Sequence, residues 1–240
     1  MEFLGPMGNV KWPLRSKVWK YMNIAKFLYL LKSHKLYFSK VTKFDDPFEG
    51  VVGEATRRYR KSGQTEEMQN SIKYLFDKYE KEAKNSFVNC WHVNDYENLA
   101  MWQIYADLES GIAIQSDFRS LIKAIKEKNI EYKETLYIDK VQYVDFEKEK
   151  TVIFKPVMPL FYKRKSFEHE KELRIVRLNT LPADNGWCID VNLISLIKKV
   201  YVAPKAPDYY KEAVEELINK YDLGNIQVIR SDNLVKRPEN

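Results

Sequence analysis

The spacing of apolar residues changes twice within the first 40 positions, and each change marks a new element. An apolar and aromatic run at 18–22 predicts a short strand. From 23 to 33 the apolar residues recur at helical spacing behind Asn23, a residue type that suits a helix N-cap. The run "KLYFS" at 35–39 is typical of a strand. The chain is therefore predicted to open with a strand, a helix and a second strand.

Residues 54–84 are predicted to form a helical insertion or a cap over a sheet. A Ser-Gly break at 62–63 separates a short basic segment from a longer one, which begins behind Thr65, a candidate N-cap. The apolar residues of the longer segment share one helix face: Met68, Ile72, Leu75, Phe76 and Tyr79.

Strand and helix patterns alternate over the rest of the chain. Strands are predicted at "SFVNCW", "GIAIQS", "TLYIDKVQYVD", "EKELRIVRL", "WCIDV", "KVYVAP" and "IQVIR". Helices are predicted at 94–107, 117–126 and 208–221, and a helix bent near its two prolines is predicted at 152–166. These elements predict the α+β class, with a single domain over 18–240, a mixed, mostly antiparallel sheet and flanking helices. Residues 1–17, interrupted by Pro6, Gly8 and Pro13, are predicted to form an irregular arm.

Composition and charge narrow the class of protein. The 240 residues are 45% hydrophobic and 14% aromatic, which is enough for a substantial core. Two cysteines make neither a disulfide framework nor a zinc set, so a reducing cytoplasm is expected. The N-terminus is too short and interrupted for a signal peptide, and no apolar run reaches membrane length, so no membrane partner is expected.

The net charge of +6 permits a polyanionic partner without requiring one. A basic cluster in the insertion is the candidate surface for nucleic acid, and an ordinary solvated helix face explains it as well. Its members are Arg57, Arg58, Arg60 and Lys61.

The loop "FDDPFEG" carries the first candidate chemistry. Its proline keeps Asp46 out of the helical region and favours an extended corner. Asp45, Asp46 and Glu49 suit a hard cation or a basic side chain, whereas an Asx-type turn between the two phenylalanines needs neither. We expect Asp46 and Glu49 to accept hydrogen bonds or ion pairs from basic residues, with Arg174 and Lys43 as the donors.

The stretch "CWHVNDYENLAMWQIYAD" carries the second. His92 lies just past a predicted strand, where a side chain can reach a cleft. Trp102 and Tyr105 lie at helical spacing, which is typical of a packed core face. Large aromatic residues near a histidine are also typical of a pocket that stacks a planar ring. Cys90 and His92 do not make a structural metal site by themselves, because such a site takes four ligands.

The stretch "KRKSFEHEKELRIV" carries the third. Glu168, Glu170, Glu172 and Arg174 alternate, so they point to one face if the strand extends back that far. Carboxylates on one face repel each other and raise each other's pKa unless cations intervene. A surface ladder of salt bridges or a site that needs a fixed carboxylate would explain this pattern.

These motifs, in this order, resemble the bacterial family DUF2971. The pieces that carry the resemblance are "VWKYMN", "LYFSKVTKFDDPFEG", "CWHVN", "NLAMWQIYAD", "GIAIQS" and "KRKSFEHEKELRIV". The resemblance runs from about Val18 to Val202 and implies the fold of that family, whose activity is not settled.

A more distant resemblance, to ADP-ribosyltransferases, implies NAD as the substrate. It places position 20 or 21 at the ribose or a phosphate, Tyr37 or Ser39 beside the nicotinamide, and Glu170 or Glu172 at the ribose hydroxyl. No His or Arg stands at 20 or 21, and the usual transferase motif has no counterpart of Arg174.

The leading functional hypothesis is an NAD-using, ADP-ribosyltransferase-like enzyme, with a role as a toxin or in phage defence as an associated expectation. The catalytic candidates are Glu170, Glu172 and Arg174. The binding candidates are Tyr21, Tyr37, Ser39, Asp46, Glu49, His92, Trp102 and Tyr105. The candidates far apart in sequence are expected to converge on one cleft. The alternatives are a metal-dependent nuclease or other phosphodiesterase, built on the acidic residues of the first and third stretches, and a non-catalytic binding module.

Overall fold

The computed structural model describes residues 1–8, 15–131, 133–179 and 186–234. The strands are β1 (Glu2–Leu4), β2 (Lys17–Asn23), β3 (Lys35–Lys40), β4 (Phe87–Val93), β5 (Gly111–Asp117), β6 (Thr135–Lys140), β7 (Gln142–Val144), β8 (Tyr162–Arg164), β9 (Glu172–Arg177), β10 (Gly186–Asp190), β11 (Lys199–Val202) and β12 (Gln227–Arg230). The α-helices are α1 (Ile24–Ser33), α2 (Glu54–Lys61), α3 (Glu66–Asn85), α4 (Leu99–Tyr105), α5 (Phe118–Lys128), α6 (Leu193–Leu196) and α7 (Asp208–Lys220). Short 3-10 helices cover Val41–Lys43, Met158–Phe161 and Lys165–Glu170.

Side-chain caps set the start of several helices. Asn23 accepts a hydrogen bond from the backbone N–H of Lys26 at 2.9 Å, and Thr65 accepts one from Met68 at 3.3 Å. Each bond satisfies a backbone donor that has no partner within its helix. The N-caps predicted for α1 and α3 are therefore confirmed.

The described residues divide into two compact units, each built from three separate stretches of chain. The first unit contains residues within 1–11, 37–90 and 133–188. The second unit contains residues within 12–36, 91–132 and 189–240.

Strand pairing in the first unit is mixed. β1 pairs in parallel with β6, and β6 pairs antiparallel with β9. Ser39 and Lys40 of β3 pair antiparallel with Val88 and Phe87 of β4, and β7 and β8 form a separate parallel pair. Below these strands lies a buried apolar cluster: Val41, Val52, Phe76, Ala83, Val88, Phe146, Ile153, Val157, Met158, Leu160, Phe161, Tyr162 and Val176.

The second unit is organised around a long antiparallel pair. β2 lies opposite β5 along its whole length, from Lys17 against Asp117 to Asn23 against Gly111. β11 pairs antiparallel with β5 and parallel with β12. Both central strands carry buried side chains on their core face, as the apolar runs predicted.

The α+β class and the mixed, mostly antiparallel strand pairing are confirmed. The helical insertion at 54–84 is confirmed as α2 and α3. The domain boundaries at 17 and 18 stay predictions. Within the described ranges, no helix combines the length and the apolar character that crossing a membrane requires.

Three sequence predictions were wrong in part. Residues 152–166 form a 3-10 turn and strand β8 in place of a bent helix, because two prolines within four positions deny an α-helix its backbone donors. Glu2–Leu4 form a strand inside the predicted irregular arm, since β6 supplies a pairing edge; Pro13 lies outside the described residues. On α3, Met68 and Leu75 are exposed, whereas Phe76 is buried, so the apolar face of this helix is only partly covered.

The loop 44–50 ends at a glycine that its backbone requires. Gly50 has φ +73°, in the left-handed region that residues with a side chain avoid. A Cβ atom there would also lie 3.1 Å from the Cβ of Ala83 on α3. The loop therefore closes onto the helical insertion at a position where only glycine fits.

We expect Gly50→Ala to lower the free energy of unfolding by about 2–4 kcal/mol, because left-handed backbone and overpacking add. The matched control is Gly63→Ala, which has the same φ of +73° but open space around the added atom. It should cost only about 1 kcal/mol. Urea unfolding of both variants checks this, and equal losses would contradict the packing at Gly50.

Candidate active site: a buried carboxylate network

Four segments of the first unit bring a set of charged side chains together. β8 supplies Lys163, the 3-10 helix after it ends at Glu170, and β9 supplies Glu172 and Arg174. The loop 44–50 supplies Glu49. All five side chains are buried, so each charge needs a partner within the protein. We call these five residues the carboxylate network.

Arg174 is the centre of the network and is 0% exposed. Its Nη1 and Nη2 groups donate to the two carboxylate oxygens of Glu49 at 2.8 and 2.7 Å. Its Nε donates to Glu172 at 2.8 Å, and Nη1 also donates to the carbonyl of Leu160 at 2.8 Å. The forked guanidinium thus meets a carboxylate at its end and another at its side. The ion pair predicted between Glu49 and Arg174 is confirmed.

Lys163 joins the remaining carboxylates to this centre. Its Nζ donates to Glu172 Oε1 at 2.7 Å and to Glu170 Oε2. It also lies 3.4 Å from Glu49 Oε1. One ammonium group therefore contacts all three carboxylates, which is what three donors on a compact charge allow.

Carboxyl groups outnumber cations in the network. Three carboxyl groups face two cations. Glu170 and Glu172 both accept from Nζ of Lys163. The two carboxyl groups therefore depend on one ammonium group.

The pKa values of the network follow from this arrangement. Burial alone would raise the pKa of Glu172, but the charge of Arg174, the hydrogen bond from Glu170 and the charge of Lys163 hold it well below its usual value. Burial alone would lower the pKa of Arg174, but Glu172 and Glu49 raise it well above the ordinary value. Burial alone would lower the pKa of Lys163, but the charge of Glu172 opposes this effect, and the pKa of Lys163 is raised. Lys163, Glu172 and Arg174 are charged at neutral pH.

Tyr143 of β7 holds Glu172 in place and is a residue that the sequence did not single out. Its hydroxyl accepts a hydrogen bond from the backbone N–H of Glu172 at 2.8 Å. Burial first, and then the charge of Glu172, raise the pKa of Tyr143, so it stays a neutral phenol. Its only signal in the sequence is its place in the strand-like run "TLYIDKVQYVD".

Asp46 has a different donor from the one predicted. Its carboxylate receives Nη2 of Arg164 at 2.7 Å and Nε of the same residue at 3.4 Å. It also accepts the backbone N–H of Phe48 at 3.1 Å. The prediction that Asp46 accepts from a basic residue is confirmed, whereas Arg174 and Lys43 were the wrong donors for it. Lys163 and Arg164 are neighbours on a strand, so their side chains leave on opposite faces and reach different acids.

The strand of the third motif begins later than predicted. β9 starts at Glu172, Lys165–Glu170 form a 3-10 helix, and Lys171 between them has φ 41°. Glu168 is therefore exposed and outside the network, which corrects the prediction of one face for all four residues. Glu170 still reaches Lys163, because the left-handed residue turns the chain back toward the strand.

The second unit contains another group of predicted site residues. Trp102 is fully buried, and its indole N–H donates to Glu97 at 3.1 Å. The ring of Tyr21 meets Trp102 edge-on at 5.2 Å and lies 6.2 Å from His92. Tyr105 is exposed on α4. Tyr21, His92 and Trp102 are thus brought together in an aromatic cluster, while a ligand role for them stays a prediction.

The remaining predicted residues, Tyr37 and Ser39, belong to the first unit. Tyr37 is exposed, with its ring over Gly186, where an added Cβ would lie 2.1 Å from the Tyr37 hydroxyl oxygen. Ser39 pairs with Val88 in the strand ladder. Their roles, and the shared cleft for all candidates, stay predictions.

The basic cluster of the insertion is partly neutralised. Arg57 pairs with Glu80 at 2.6 Å and Asp77 at 3.1 Å, and Arg58 pairs with Glu147 at 3.5 Å. These pairs favour a structural role for half of the cluster. Binding of nucleic acid there stays a prediction.

Metal binding finds no support in the placement of side chains. Across the described part of the chain, no group of three or more His, Cys, Asp or Glu residues is placed to hold an ion. The acids proposed for a metal-dependent nuclease are divided between Arg164 and Lys163, with Asp45 exposed.

Comparisons with known proteins agree with part of the resemblance seen in the sequence. The model of a family described as "Protein of unknown function (DUF2971)" matches residues 101–175, which confirms that resemblance over those residues. A search of curated proteins finds no match. Two structures of DarT from Thermus sp. 2.9 are similar to this chain. The complex with carba-NAD+ is 7% identical with a TM-score of 0.43, over 92% of this chain and 98% of DarT. The complex with NAD+ is 9% identical with a TM-score of 0.42, over 93% and 98%.

Arg174→Lys should lower the free energy of unfolding by about 3 kcal/mol or more, because a lysine cannot serve Glu49, Glu172 and the Leu160 carbonyl together and leaves buried charge unpaired. Arg177→Lys is the matched control on the same strand, where the pair with Glu134 is partly exposed. It should cost about 1 kcal/mol or less. Chemical unfolding measures both, and similar losses would contradict the central role of Arg174.

The low pKa of Glu172 makes stability depend on acid in a defined direction. A carboxyl group whose pKa is lowered by folding stabilises the protein above its unfolded pKa of about 4.3, and this contribution is lost as the pH falls toward the folded pKa. Unfolding free energies from pH 7 to pH 3 should therefore decline more steeply for the wild type than for Glu172→Gln. Parallel curves for the two proteins would show that Glu172 is not held ionised.

Proposed function

We propose that this protein cleaves the bond between nicotinamide and ribose in NAD and transfers the ADP-ribosyl group. The observation that carries the proposal is the pair of carboxyl groups, Glu170 and Glu172, that Lys163 holds together. Carboxyl groups are what glycosidic chemistry uses to stabilise positive charge on a sugar and to move a proton. The sequence resemblance to ADP-ribosyltransferases, which places Glu170 or Glu172 at the ribose, supports the choice of NAD.

The chemistry of NAD suits such a pair. As the bond from ribose C1′ to the nicotinamide nitrogen breaks, its electron pair leaves with the ring, and positive charge develops on the ribose. An ionised carboxylate stabilises this oxocarbenium-like state. The second carboxyl exchanges a proton with the ribose hydroxyl or with the incoming nucleophile, whose oxygen bonds to C1′. Nicotinamide and one proton are released.

Glu170 and Glu172 have different roles in this scheme. Glu172 is bonded to Arg174 and Lys163, which fixes its position and its ionisation. Glu170 contacts Lys163 and ends the short 3-10 segment, outside the strand that holds Glu172 and Arg174. We assign proton exchange to Glu170 and the fixed negative charge to Glu172, with Arg174 and Lys163 as positioning residues.

The backbone between Glu170 and Glu172 turns sharply. Lys171 adopts a left-handed conformation, φ 41° and ψ 52°, at the C-cap of the 3-10 helix Lys165–Glu170. Glu170 and Glu172, on either side of this turn, reach the same ammonium group of Lys163. The proposed pair therefore depends on the conformation of Lys171.

Glu170→Gln should reduce the rate of nicotinamide release from NAD by about 100-fold or more, the range of general acid–base catalysis. Glutamine has nearly the shape of glutamate, and its oxygen still accepts from Lys163. The melting temperature should therefore stay close to that of the wild type. Chromatographic detection of nicotinamide and a thermal unfolding curve give the two readouts.

Glu168→Gln is the matched control, since Glu168 belongs to the same segment but is exposed. It should retain the wild-type rate. Wild-type protein that releases no nicotinamide, or a Glu170→Gln variant with full activity, would contradict the proposed function.

A further inference from the structure

We infer that Arg164 is a phosphate-binding residue, which grips a phosphate group of the substrate beside the carboxylate network. The inference rests on the proposed function for the identity of the substrate, a dinucleotide with a diphosphate. It rests on the geometry of the first unit for the residue itself.

The Arg164 guanidinium is held in one orientation. Asp46, whose side chain is 3% exposed, receives its Nη2 and Nε groups on one edge. The ring of Phe48 lies against the guanidinium, with 4.6 Å from Cζ to the ring centroid, and the ring of Phe167 lies at 5.5 Å on the same group. A planar cation bonded at one edge and flanked by two rings is pre-organised, so less side-chain entropy is lost when it binds a ligand.

The Arg164 side chain is partly open to solvent. The side chain of Arg164 is 39% exposed, and Phe48 beside it is 38% exposed. Nε and one Nη2 hydrogen are used by Asp46, and among the described residues the Nη1 group has no acceptor. Three N–H donors, two on Nη1 and one on Nη2, therefore remain for an anion, and a phosphate group fits this fork with two parallel hydrogen bonds.

Phe167 connects this arginine to the carboxylate network. Its ring lies 4.5 Å from Nζ of Lys163 and 5.5 Å from Cζ of Arg164. Lys163 in turn contacts Glu170 and Glu172. Arg164 and the carboxyl pair are thus connected through contacts to one aromatic ring. In NAD, the diphosphate is attached to the same ribose whose C1′ bond breaks, so these two parts of the substrate are also near each other.

Asp46 makes the arrangement an anchor for Arg164. It keeps the backbone N–H of Phe48 as a second donor, at 3.1 Å. The Asp46 carboxylate is therefore fixed by the backbone as well as by Arg164, and it holds the guanidinium while a phosphate binds the remaining donors. The loop motif "FDDPFE" thus supplies two acids with different partners. Glu49 binds the buried Arg174, and Asp46 binds the partly exposed Arg164.

Binding of inorganic pyrophosphate and of ADP-ribose, measured by isothermal titration calorimetry, tests the assignment. Arg164→Gln should weaken the binding of both probes about 10- to 100-fold, because charge-assisted hydrogen bonds contribute roughly that factor. Arg164→Lys should also weaken binding, since it keeps the charge but lacks the fork. Lys165→Gln is the control at the neighbouring residue. It removes the exposed partner of Glu149 and should bind both probes as the wild type does.

A chemical measurement keeps the test independent of how well the variants fold. Phenylglyoxal should modify Arg164 in the wild type, and pyrophosphate should protect it, as read by peptide mass spectrometry. Wild-type protein that binds neither probe, or equal binding by wild type and Arg164→Gln, would overturn the phosphate site. Protection of other arginines with none at Arg164 would overturn it as well.

The outcomes separate this inference from the proposed function. Glu170→Gln should bind ADP-ribose as the wild type does while nicotinamide release is lost. Pyrophosphate binding that depends on Arg164 in a protein without nicotinamide release would retain the phosphate site and overturn NAD cleavage. If Arg164→Gln changed neither nicotinamide release nor binding, NAD cleavage would be retained and the phosphate site would be overturned.

Discussion

A guanidinium group without any access to water determines how the first unit is built. Arg174 is 0% exposed, and its charge is tolerable there only because Glu49, Glu172 and a backbone carbonyl surround it. Each of those partners fixes another piece of chain. Glu49 ties down the loop 44–50, and Glu172 is placed at the start of its strand by the hydroxyl of Tyr143. The position of one buried cation therefore dictates the conformation of several segments that are distant in sequence.

The same constraint gathers more acids than bases. A third carboxyl group, Glu170, enters a network whose two cations are already matched by two carboxylates. Lys163 contacts all three acids, so Glu170 depends on the same ammonium group as Glu49 and Glu172. An ordinary buried salt bridge has one acid for each base, and the extra carboxyl group separates this network from it.

The geometry of strand β8 also places two neighbouring cations in different environments. Lys163 and Arg164 are adjacent in sequence, yet one is buried against three carboxylates and the other is half-exposed between Asp46 and two phenylalanines. Alternation along β8 explains the division, because successive side chains leave a strand on opposite faces. Ammonium and guanidinium also suit their places. The compact ammonium contacts three acids at once, and the planar fork lies flat on a ring and presents its free edge.

The sequence by itself determined the elements, because apolar spacing and N-caps are local signals: the pair of helices in 54–84, the caps at Asn23 and Thr65, and the runs that form β2 and β5 were all predicted. It also indicated that the acids of "FDDPFEG" meet basic residues, since buried carboxylates need partners. Only the tertiary structure decided which cation goes to which acid. Three results depend on where strands β7, β8 and β9 start and on one left-handed residue, Lys171. They are the pairing of Asp46 with Arg164 in place of Lys43, the exclusion of Glu168 and the entry of Tyr143. These features are set by packing across more than a hundred residues of sequence, and no local pattern encodes them.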